Sequence, residues 1–236
     1  MQKYILVTGG TKGIGRAIIE KFATEGFHII TCARGEKDLE NLKLEIERKY
    51  TFSKVHYFSA DLGLENERNA FLAFVNNLHV KIEVLINNTG IFIPGKIIDE
   101  TNDVLPAMMA ANLYSAYYLT KGLLPDMIKR KHGHIFNICS TASIRAYPNG
   151  GSYSITKFAM YGMTKCLREE LKEFGIKVTA ILPGATYTAS WEGVDLPVER
   201  FMKSEDVAEV VYATYILSKN SVVEEVLLRP QLGDIV

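Results

Sequence analysis

The sequence has few cysteines and lacks any long apolar run. Its three cysteines, Cys32, Cys139 and Cys166, are an odd number without CxxC spacing, which argues against a disulfide framework and against a zinc site. No stretch of 18 apolar residues occurs, and the N-terminal apolar run is too short for a signal peptide. We therefore expect a cytoplasmic protein with no metal centre and no membrane partner.

An excess of charge of either sign is also absent. Lys and Arg total 27, and Asp and Glu also total 27, so the overall charge attracts neither nucleic acid nor an anionic membrane. Hydrophobic residues make up 47% and charged residues 23%, which is typical of a soluble globular protein. The length of 236 residues suits one sizeable core, and no repeat or linker divides the chain. A single domain over residues 1–236 is predicted.

Short apolar runs alternate with longer amphipathic segments along the chain. Several runs are nearly continuous in Val, Ile and Leu, as expected for strands covered on both faces. The alternation predicts an α/β fold of the Rossmann type, with a doubly wound, mostly parallel seven-stranded sheet and helices on both faces. The predicted strands are 4–8, 28–33, 55–60, 84–87, 134–140, 177–182 and 225–229, and the predicted helices are 13–25, 37–50, 64–78, 102–131, 152–174 and 204–218.

A glycine-rich turn, "TGGTKGIG", follows the first predicted strand and precedes a predicted helix. Gly9, Gly13 and Gly15 allow a sharp turn and a close approach of phosphates to the backbone, and the helix N-terminus favours negative charge. This context is the one that a dinucleotide-binding turn requires. A P-loop is excluded, because Arg16 and Ala17 stand where lysine and Ser/Thr are needed. A turn that binds nothing remains the alternative.

The end of the second predicted strand favours NADP over NAD. NAD-binding folds place an acid there, which holds the ribose 2′-hydroxyl. The sequence here reads "TCARGEK", with Arg34 and no acid. Arg34 and Lys12 together would neutralise a 2′-phosphate, so NADP(H) is the predicted cofactor. Asp61, which follows the third strand, is placed to accept from the adenine amino group, although alone it would be an ordinary helix cap.

A tyrosine and a lysine lie one helical turn apart in "GGSYSITKFAM". The pKa of a free phenol is near 10, and the Lys157 ammonium is expected to draw the pKa of Tyr153 towards neutrality. Tyr153 would then serve as the acid in hydride transfer to a carbonyl. Ser140, at the end of a predicted strand, would hold the carbonyl oxygen. Ser152 and Ser154 are rivals for that role, but they cap the helix or lie on its other faces.

These motifs, in this order, resemble the short-chain dehydrogenase/reductase family over the whole chain, and in particular its 3-oxoacyl reductases. "TGGTKGIG" is similar to the family's cofactor turn, "NNTG" to its fourth-strand motif, "YSITK" to its catalytic pair and "PGATYT" to its proline-glycine motif. Thr89 departs from the alanine usual in that fourth-strand motif, and Leu182 from the asparagine that often precedes Pro-Gly. The resemblance implies a catalytic tetrad in which Asn112 holds a water that extends the proton relay of the lysine. The tetrad is Asn112, Ser140, Tyr153 and Lys157.

The resemblance also implies how the cofactor is held. Lys157 would bind the nicotinamide ribose, Thr188 the carboxamide and Asp61 the adenine. Asn87 and Gly90 would line the cofactor, Asn87 partly through a structural role. The predicted cofactor contacts are Gly9, Thr11, Lys12, Gly13, Ile14, Gly15, Arg34, Asp61, Leu62, Asn87, Gly90, Tyr153, Lys157, Pro183, Gly184, Thr186 and Thr188.

The predicted activity is NADP(H)-dependent reduction of a ketone or aldehyde, with a 3-oxoacyl thioester among the possible substrates. One alternative is a hydroxy-acid dehydrogenase working in the oxidative direction, and another is a non-catalytic dinucleotide-sensing or scaffold protein. A loop at 184–203 is long enough to be functional. The resemblance implies a homodimer or homotetramer as well as a small-molecule substrate. The predicted substrate contacts are Ser140, Tyr147, Tyr153 and Trp191.

Overall fold

The computed structural model describes residues 2–188 and 196–235. Its seven strands form one sheet in the order β3-β2-β1-β4-β5-β6-β7, and every neighbouring pair is parallel. The strands are β1 (Tyr4–Thr8), β2 (His28–Ala33), β3 (Val55–Ser59), β4 (Ile82–Asn87), β5 (Gly133–Ile138), β6 (Ile176–Pro183) and β7 (Glu225–Leu228). The helices are α1 (Gly13–Thr24), α2 (Glu36–Lys49), α3 (Glu65–Asn77), α4 (Val104–Met109), α5 (Ser115–Arg130), α6 (Gly151–Leu171) and α7 (Ser204–Tyr215).

The sheet is covered by helices on both faces, which confirms the predicted fold class. Side chains along a strand alternate between the two faces, and β1 shows the result directly. Ile5 and Val7 pack into a core cluster with α1 and α7, while Leu6 packs into a second cluster with α3 and α5. Because both of its faces are buried, β1 carries apolar residues at nearly every position.

The strand order reverses between β1 and β4. After β1 the chain builds outward through β2 and β3, then returns to pair β4 with the other side of β1. In open parallel sheets such a reversal leaves a crevice at the carboxyl ends of the strands, where ligands bind. The glycine turn after β1 and the segment after β4 both emerge at this crevice, as do the segments that follow β5 and β6.

The prediction of one helix over 102–131 is wrong in detail. The segment contains α4 and α5, joined by a five-residue π-helix, Ala110–Tyr114. Ser115 donates its hydroxyl hydrogen to the carbonyl of Ala111, within this widened turn. π-Helical turns occur often at functional sites, and this one carries Asn112.

Candidate active site

The glycine turn after β1 adopts a shape that depends on its glycines. Gly9 and Gly13 have φ angles of +67° and +55°, a region that side chains rarely tolerate. At Gly15 a Cβ atom would lie 2.4 Å from the carbonyl oxygen of Gly9, so the turn closes tightly on itself. Asn88 braces the turn, because its Nδ2 donates to the carbonyls of Thr8 (2.8 Å) and Gly9 (3.1 Å).

The N-terminus of α1 faces the crevice without a side-chain cap. Lys12 is the N-cap residue, in an extended conformation, and its side chain makes no capping hydrogen bond. The first N–H groups of a helix have no partner within the helix, so those of α1 are available to an anionic ligand. Thr188, after β6, closes the crevice from the opposite side, since a Cβ at Gly13 would lie 3.0 Å from its Cγ2. Thr186 pairs with Met202 in an isolated bridge and donates to the carbonyl of Gly184.

Two cations at the carboxyl ends of β1 and β2 carry no compensating charge. Lys12 and Arg34 are exposed, and neither forms an ion pair with any residue of 2–188 or 196–235. Arg16, by contrast, is committed to Glu20 (2.7 Å) and Glu45 (2.6 Å). Lys12 and Arg34 therefore remain available to a phosphate at this end of the crevice.

Asp61 organises the turn that follows β3. Its Oδ1 accepts from the N–H of Gly63 (2.9 Å), and its own N–H donates to Glu67 (2.6 Å). Its Oδ2 has no hydrogen bond to a described residue, so one oxygen remains for a ligand. The Leu62 side chain is buried in the core and its carbonyl accepts from Arg68, so its predicted cofactor contact is limited to its main chain.

The Asn87 side chain links β4 to α5 and to β5. Its Nδ2 donates to Thr120 (2.9 Å) and to Asn137 (2.8 Å), and the side chain is buried between α5 and β5. These bonds give the Asn87 side chain a structural role. The predicted contact of Asn87 with the cofactor would therefore be made by its main chain. Gly90 lies beside two of the predicted catalytic residues, because a Cβ there would come within 3.3 Å of Asn112 Oδ1 and 3.7 Å of Lys157 Nζ.

Three of the predicted catalytic residues meet at the carboxyl end of β5. Tyr153 and Lys157 lie on one face of α6, and the Lys157 ammonium is 5.7 Å from the centroid of the Tyr153 ring. Lys157 donates to the carbonyl of Ile138 (2.9 Å), the last residue of β5. Ser140 lies beside Tyr153 and lowers the pKa of that phenol as a side-chain hydrogen-bond partner. The Ser140 oxygen accepts from the N–H of Ala142 (3.1 Å). The bond from Ala142 fixes the hydroxyl oxygen, and the hydroxyl hydrogen can be donated to the Tyr153 oxygen or to a substrate oxygen.

The electrostatics of Tyr153 depend on its burial. Burial raises the pKa of Tyr153 to about 12, and the hydrogen bond from Ser140 opposes this only in part. Burial also lowers the pKa of Lys157, because its ammonium lies within the protein. Desolvation by burial is the largest influence and makes the net shift of the Tyr153 pKa upward, so the lowering of this pKa by Lys157 stays a prediction. The phenol is held protonated at neutral pH.

Asn112 joins the catalytic helix to the segment after β4. Its Oδ1 accepts from the N–H of Ile91 (2.7 Å), and its Nδ2 donates to the carbonyl of Ile91 (3.0 Å) and to Thr156 (2.9 Å). Thr156 donates in turn to the carbonyl of Tyr153 (2.8 Å). Both amide hydrogens are thus used, so the Asn112 side chain can take part in a proton relay only as an acceptor.

Comparison with known proteins identifies the group to which this arrangement belongs. The sequence model described as "short chain dehydrogenase" matches residues 3–197. The chain belongs to the short-chain dehydrogenase family. The predicted family is confirmed, and the family assignment makes the protein an oxidoreductase, as expected.

Relatives of this short-chain dehydrogenase span its full length. Sepiapterin reductase from Chlorobaculum tepidum is 31% identical over 243 residues, which cover 100% of this chain and 99% of the relative. A metagenomic short-chain oxidoreductase in complex with NADP is 28% identical, with a TM-score of 0.84 over 97% of each chain. The alcohol dehydrogenase from the archaeon Thermococcus sibiricus, complexed with 5-hydroxy-NADP, has a TM-score of 0.91 over 100% of each chain. At 24% identity this third protein supports the fold alone.

Among the described residues, neither rival serine of this short-chain dehydrogenase forms a hydrogen bond with the Tyr153 hydroxyl. Ser152 is buried, and its hydroxyl donates to Glu100. The Ser154 hydroxyl is buried without a hydrogen-bond partner among the described residues. Of the three serines, Ser140 is the one that influences the pKa of Tyr153, and its role in holding the substrate oxygen stays a prediction.

An apolar groove of about 600 Å³ runs along α6, but it does not lie over the catalytic pair. Its helix residues are Gly151, Ser154, Ile155 and Phe158, which recur at i, i+3, i+4 and i+7 and so line a different face of α6 from that of Tyr153 and Lys157. This groove is therefore distinct from the catalytic corner.

The predicted substrate contacts are only partly placed. Tyr147 lines the groove, and burial raises its pKa to about 12. Phe92 packs edge-on against Tyr153, with 4.9 Å between ring centroids. Trp191 lies outside the described residues.

The sequence did not predict two residues that support the site, Asn88 and Glu100. Asn88 adjoins the predicted Asn87 in "NNTG", so the motif itself was the available signal. Glu100 bonds the start of α6 from 52 residues away, and no local pattern indicates such a contact.

Proposed function

We propose that the protein is an NADP(H)-dependent reductase that converts the carbonyl group of a ketone or aldehyde to an alcohol. The observation that carries the proposal is the meeting of Ser140, Tyr153 and Lys157 at the sheet edge, beside an uncapped glycine turn. The full-length similarity to a sepiapterin reductase and to an NADP complex supports the same reaction class.

The cofactor site uses the features of the crevice. The free N–H groups at the start of α1, directly after the glycine turn, suit the pyrophosphate. Lys12 and Arg34 would hold the 2′-phosphate, Asp61 the adenine and Thr188 the nicotinamide carboxamide. When bound, NADPH supplies the hydride.

The chain's own residues handle the substrate oxygen. The Ser140 hydroxyl donates a hydrogen bond to the carbonyl oxygen and stabilises the negative charge that develops there. Tyr153, a neutral phenol because of its raised pKa, donates the proton that completes the alcohol. Lys157 stabilises the resulting phenolate, and Oδ1 of Asn112 serves as an acceptor in the relay that returns the proton.

The substrate presents a planar or apolar group beside its carbonyl. Phe92, whose ring packs on Tyr153, is 39% exposed and offers a wall for such a group. A 3-oxoacyl thioester and a pterin side-chain ketone both carry a carbonyl of this kind, and the second is favoured by the sepiapterin reductase relative.

The test of the proposed function is NADPH consumption, followed by absorbance, on a panel of 3-oxoacyl thioesters, sepiapterin, aldehydes and hydroxy acids. Turnover of at least one carbonyl compound is expected. NADP⁺-dependent turnover of hydroxy acids alone would favour the oxidative alternative. Tight NADPH binding without any turnover would favour the dinucleotide-sensing alternative.

Cofactor preference should depend on Arg34. We expect Arg34→Ala to raise the KM for NADPH by about tenfold or more, because a charged hydrogen bond to the 2′-phosphate is lost. The KM for NADH, which lacks that phosphate, should stay unchanged. Arg48→Ala, another exposed arginine, at the end of α2, is the control and should alter neither constant. Equal KM values for NADPH in the Arg34 variant and the wild type would exclude this role.

The pH dependence should reflect the raised pKa of Tyr153. Oxidation of the product alcohol by NADP⁺ requires the phenolate as base, and this form becomes more populated as pH rises towards about 12. We expect kcat/KM for oxidation to rise continuously from about pH 7 to about pH 10. A plateau near neutral pH would show that the pKa is lowered during catalysis.

A homodimer or homotetramer is also proposed. Tyr114, Tyr117 and Tyr118 near the start of α5 and Phe158 on α6 are each more than a third exposed, and two adjoining helices with exposed aromatic rings are suited to self-association. A single monomeric species in light scattering would contradict it.

In the described ranges no helix is both long and apolar enough to cross a membrane. Cytoplasmic location stays a prediction.

A further inference from the structure

A strap formed by residues 91–100, which follows β4, crosses the N-terminal end of α6. At its beginning both main-chain groups of Ile91 are bonded to the side chain of Asn112, at 2.7 and 3.0 Å. The next residue, Phe92, packs its ring against Tyr153. The strap therefore touches the proposed proton donor directly at its first turn.

The middle of the strap is paired with the residues that lead into α6. The N–H of Gly95 donates to the carbonyl of Asn149 (3.0 Å), and Gly95 and Gly150 form an isolated parallel bridge. Gly150 is the N-cap residue of α6 and has no side chain with which to cap the helix. The start of the catalytic helix thus depends on groups from elsewhere for its free N–H donors.

Glu100, at the end of the strap, supplies that cap. Its Oε1 accepts from the N–H of Ser152 (3.0 Å), and its Oε2 accepts from the Ser152 hydroxyl. A Cβ at Gly151 would lie 2.3 Å from Oε1, so glycine is needed there for the carboxylate to reach the helix. A carboxylate at this end of a helix is also favoured by the helix dipole.

We propose that Glu100 is a positioning residue for Tyr153, an inference that rests on the proposed function. Ser152 directly precedes Tyr153, and the bonds from Glu100 fix both its main chain and its side chain. Glu100 itself touches neither Tyr153 nor Ser140 among the described contacts. It acts by holding the first turn of α6 against the strap, so that the phenol stands beside Ser140.

The test compares four variants by kcat, by the dissociation constant for NADPH and by hydrogen exchange at the Ser152 amide. Glu100→Ala should lower kcat by about tenfold, since small misplacements of a reacting group are costly, with NADPH binding unchanged. Glu100→Gln should retain most of the activity, because its amide oxygen can still accept from the Ser152 N–H. Ser152→Ala, which loses only the side-chain bond, should fall between these two. Asp99→Ala, an exposed acidic neighbour, should match the wild type.

Hydrogen exchange separates this inference from the proposed function. Glu100→Ala should accelerate exchange of the Ser152 amide, whether or not a turned-over substrate has been found. Unchanged exchange in that variant would overturn the inference even if carbonyl reduction is established. Equal loss of kcat in Glu100→Ala and Glu100→Gln would also overturn it, since the hydrogen bond to Ser152 would then not be what matters.

Discussion

Tyr153→Phe is expected to reduce kcat for carbonyl reduction by about 10³-fold, within the range that general acid catalysis contributes. The change removes only the hydroxyl group, while the ring can keep its edge-on contact with Phe92. Ser140 would still donate to the carbonyl oxygen, but the neighbouring cation cannot replace the lost acid. Lys157 is directed to the carbonyl of Ile138 and lies 5.7 Å from the ring centroid of Tyr153.

The measurement is single-turnover NADPH oxidation, together with NADPH binding by fluorescence. Any loss of NADPH affinity should be far smaller than the loss of kcat, because the proton that Tyr153 donates is needed only in the chemical step. Tyr161→Phe is the matched control, since this tyrosine lies on the same helix and its hydroxyl bonds Glu225 at the surface. A Tyr153 variant with the kcat of the control would remove this residue from the mechanism.

The fold could be predicted because it depends on features that recur locally. The strands of a doubly wound sheet are buried on both faces, so apolar runs such as that of β1 mark them directly. The π-helix at Ala110–Tyr114 could not be predicted, because one widened turn leaves the apolar pattern of the surrounding helices almost unchanged. The sequence therefore predicted that this segment is helical, but it did not predict that one of its turns is a π-helix.

The candidate site divides in the same way. Tyr153 and Lys157 are four residues apart, and the glycine turn is contiguous, so sequence spacing suffices to bring them together. The Asn88 brace and the Glu100 cap span 80 and 52 residues, and only the folded chain joins them. The pKa of Tyr153 could not be predicted for the same reason. The sequence spacing indicates that Lys157 is near, but the burial that raises the pKa depends on tertiary packing.

Gly15→Ala is expected to weaken NADPH binding by about ten- to a hundredfold. The added methyl would lie 2.4 Å from the Gly9 carbonyl oxygen and 2.5 Å from Asn88 Nδ2. The Gly9 carbonyl is main chain and is already held by Asn88, so the turn must open and that bond must lengthen. Overpacking of this kind costs about 1–3 kcal/mol, and 1.4 kcal/mol is about a factor of ten in affinity.

The same substitution at Gly162 provides the control for this effect. No atom lies within 4 Å of a Cβ placed there, and the residue lies inside α6, where alanine is the better helix former by about 1 kcal/mol. Gly162→Ala should therefore keep the NADPH dissociation constant and hold or raise the melting temperature. Gly15→Ala should lower both the affinity and the melting temperature, because the strained turn belongs to the folded protein itself. Wild-type affinity for NADPH in Gly15→Ala would show that dinucleotide binding does not depend on the tight packing of Gly15 against Gly9.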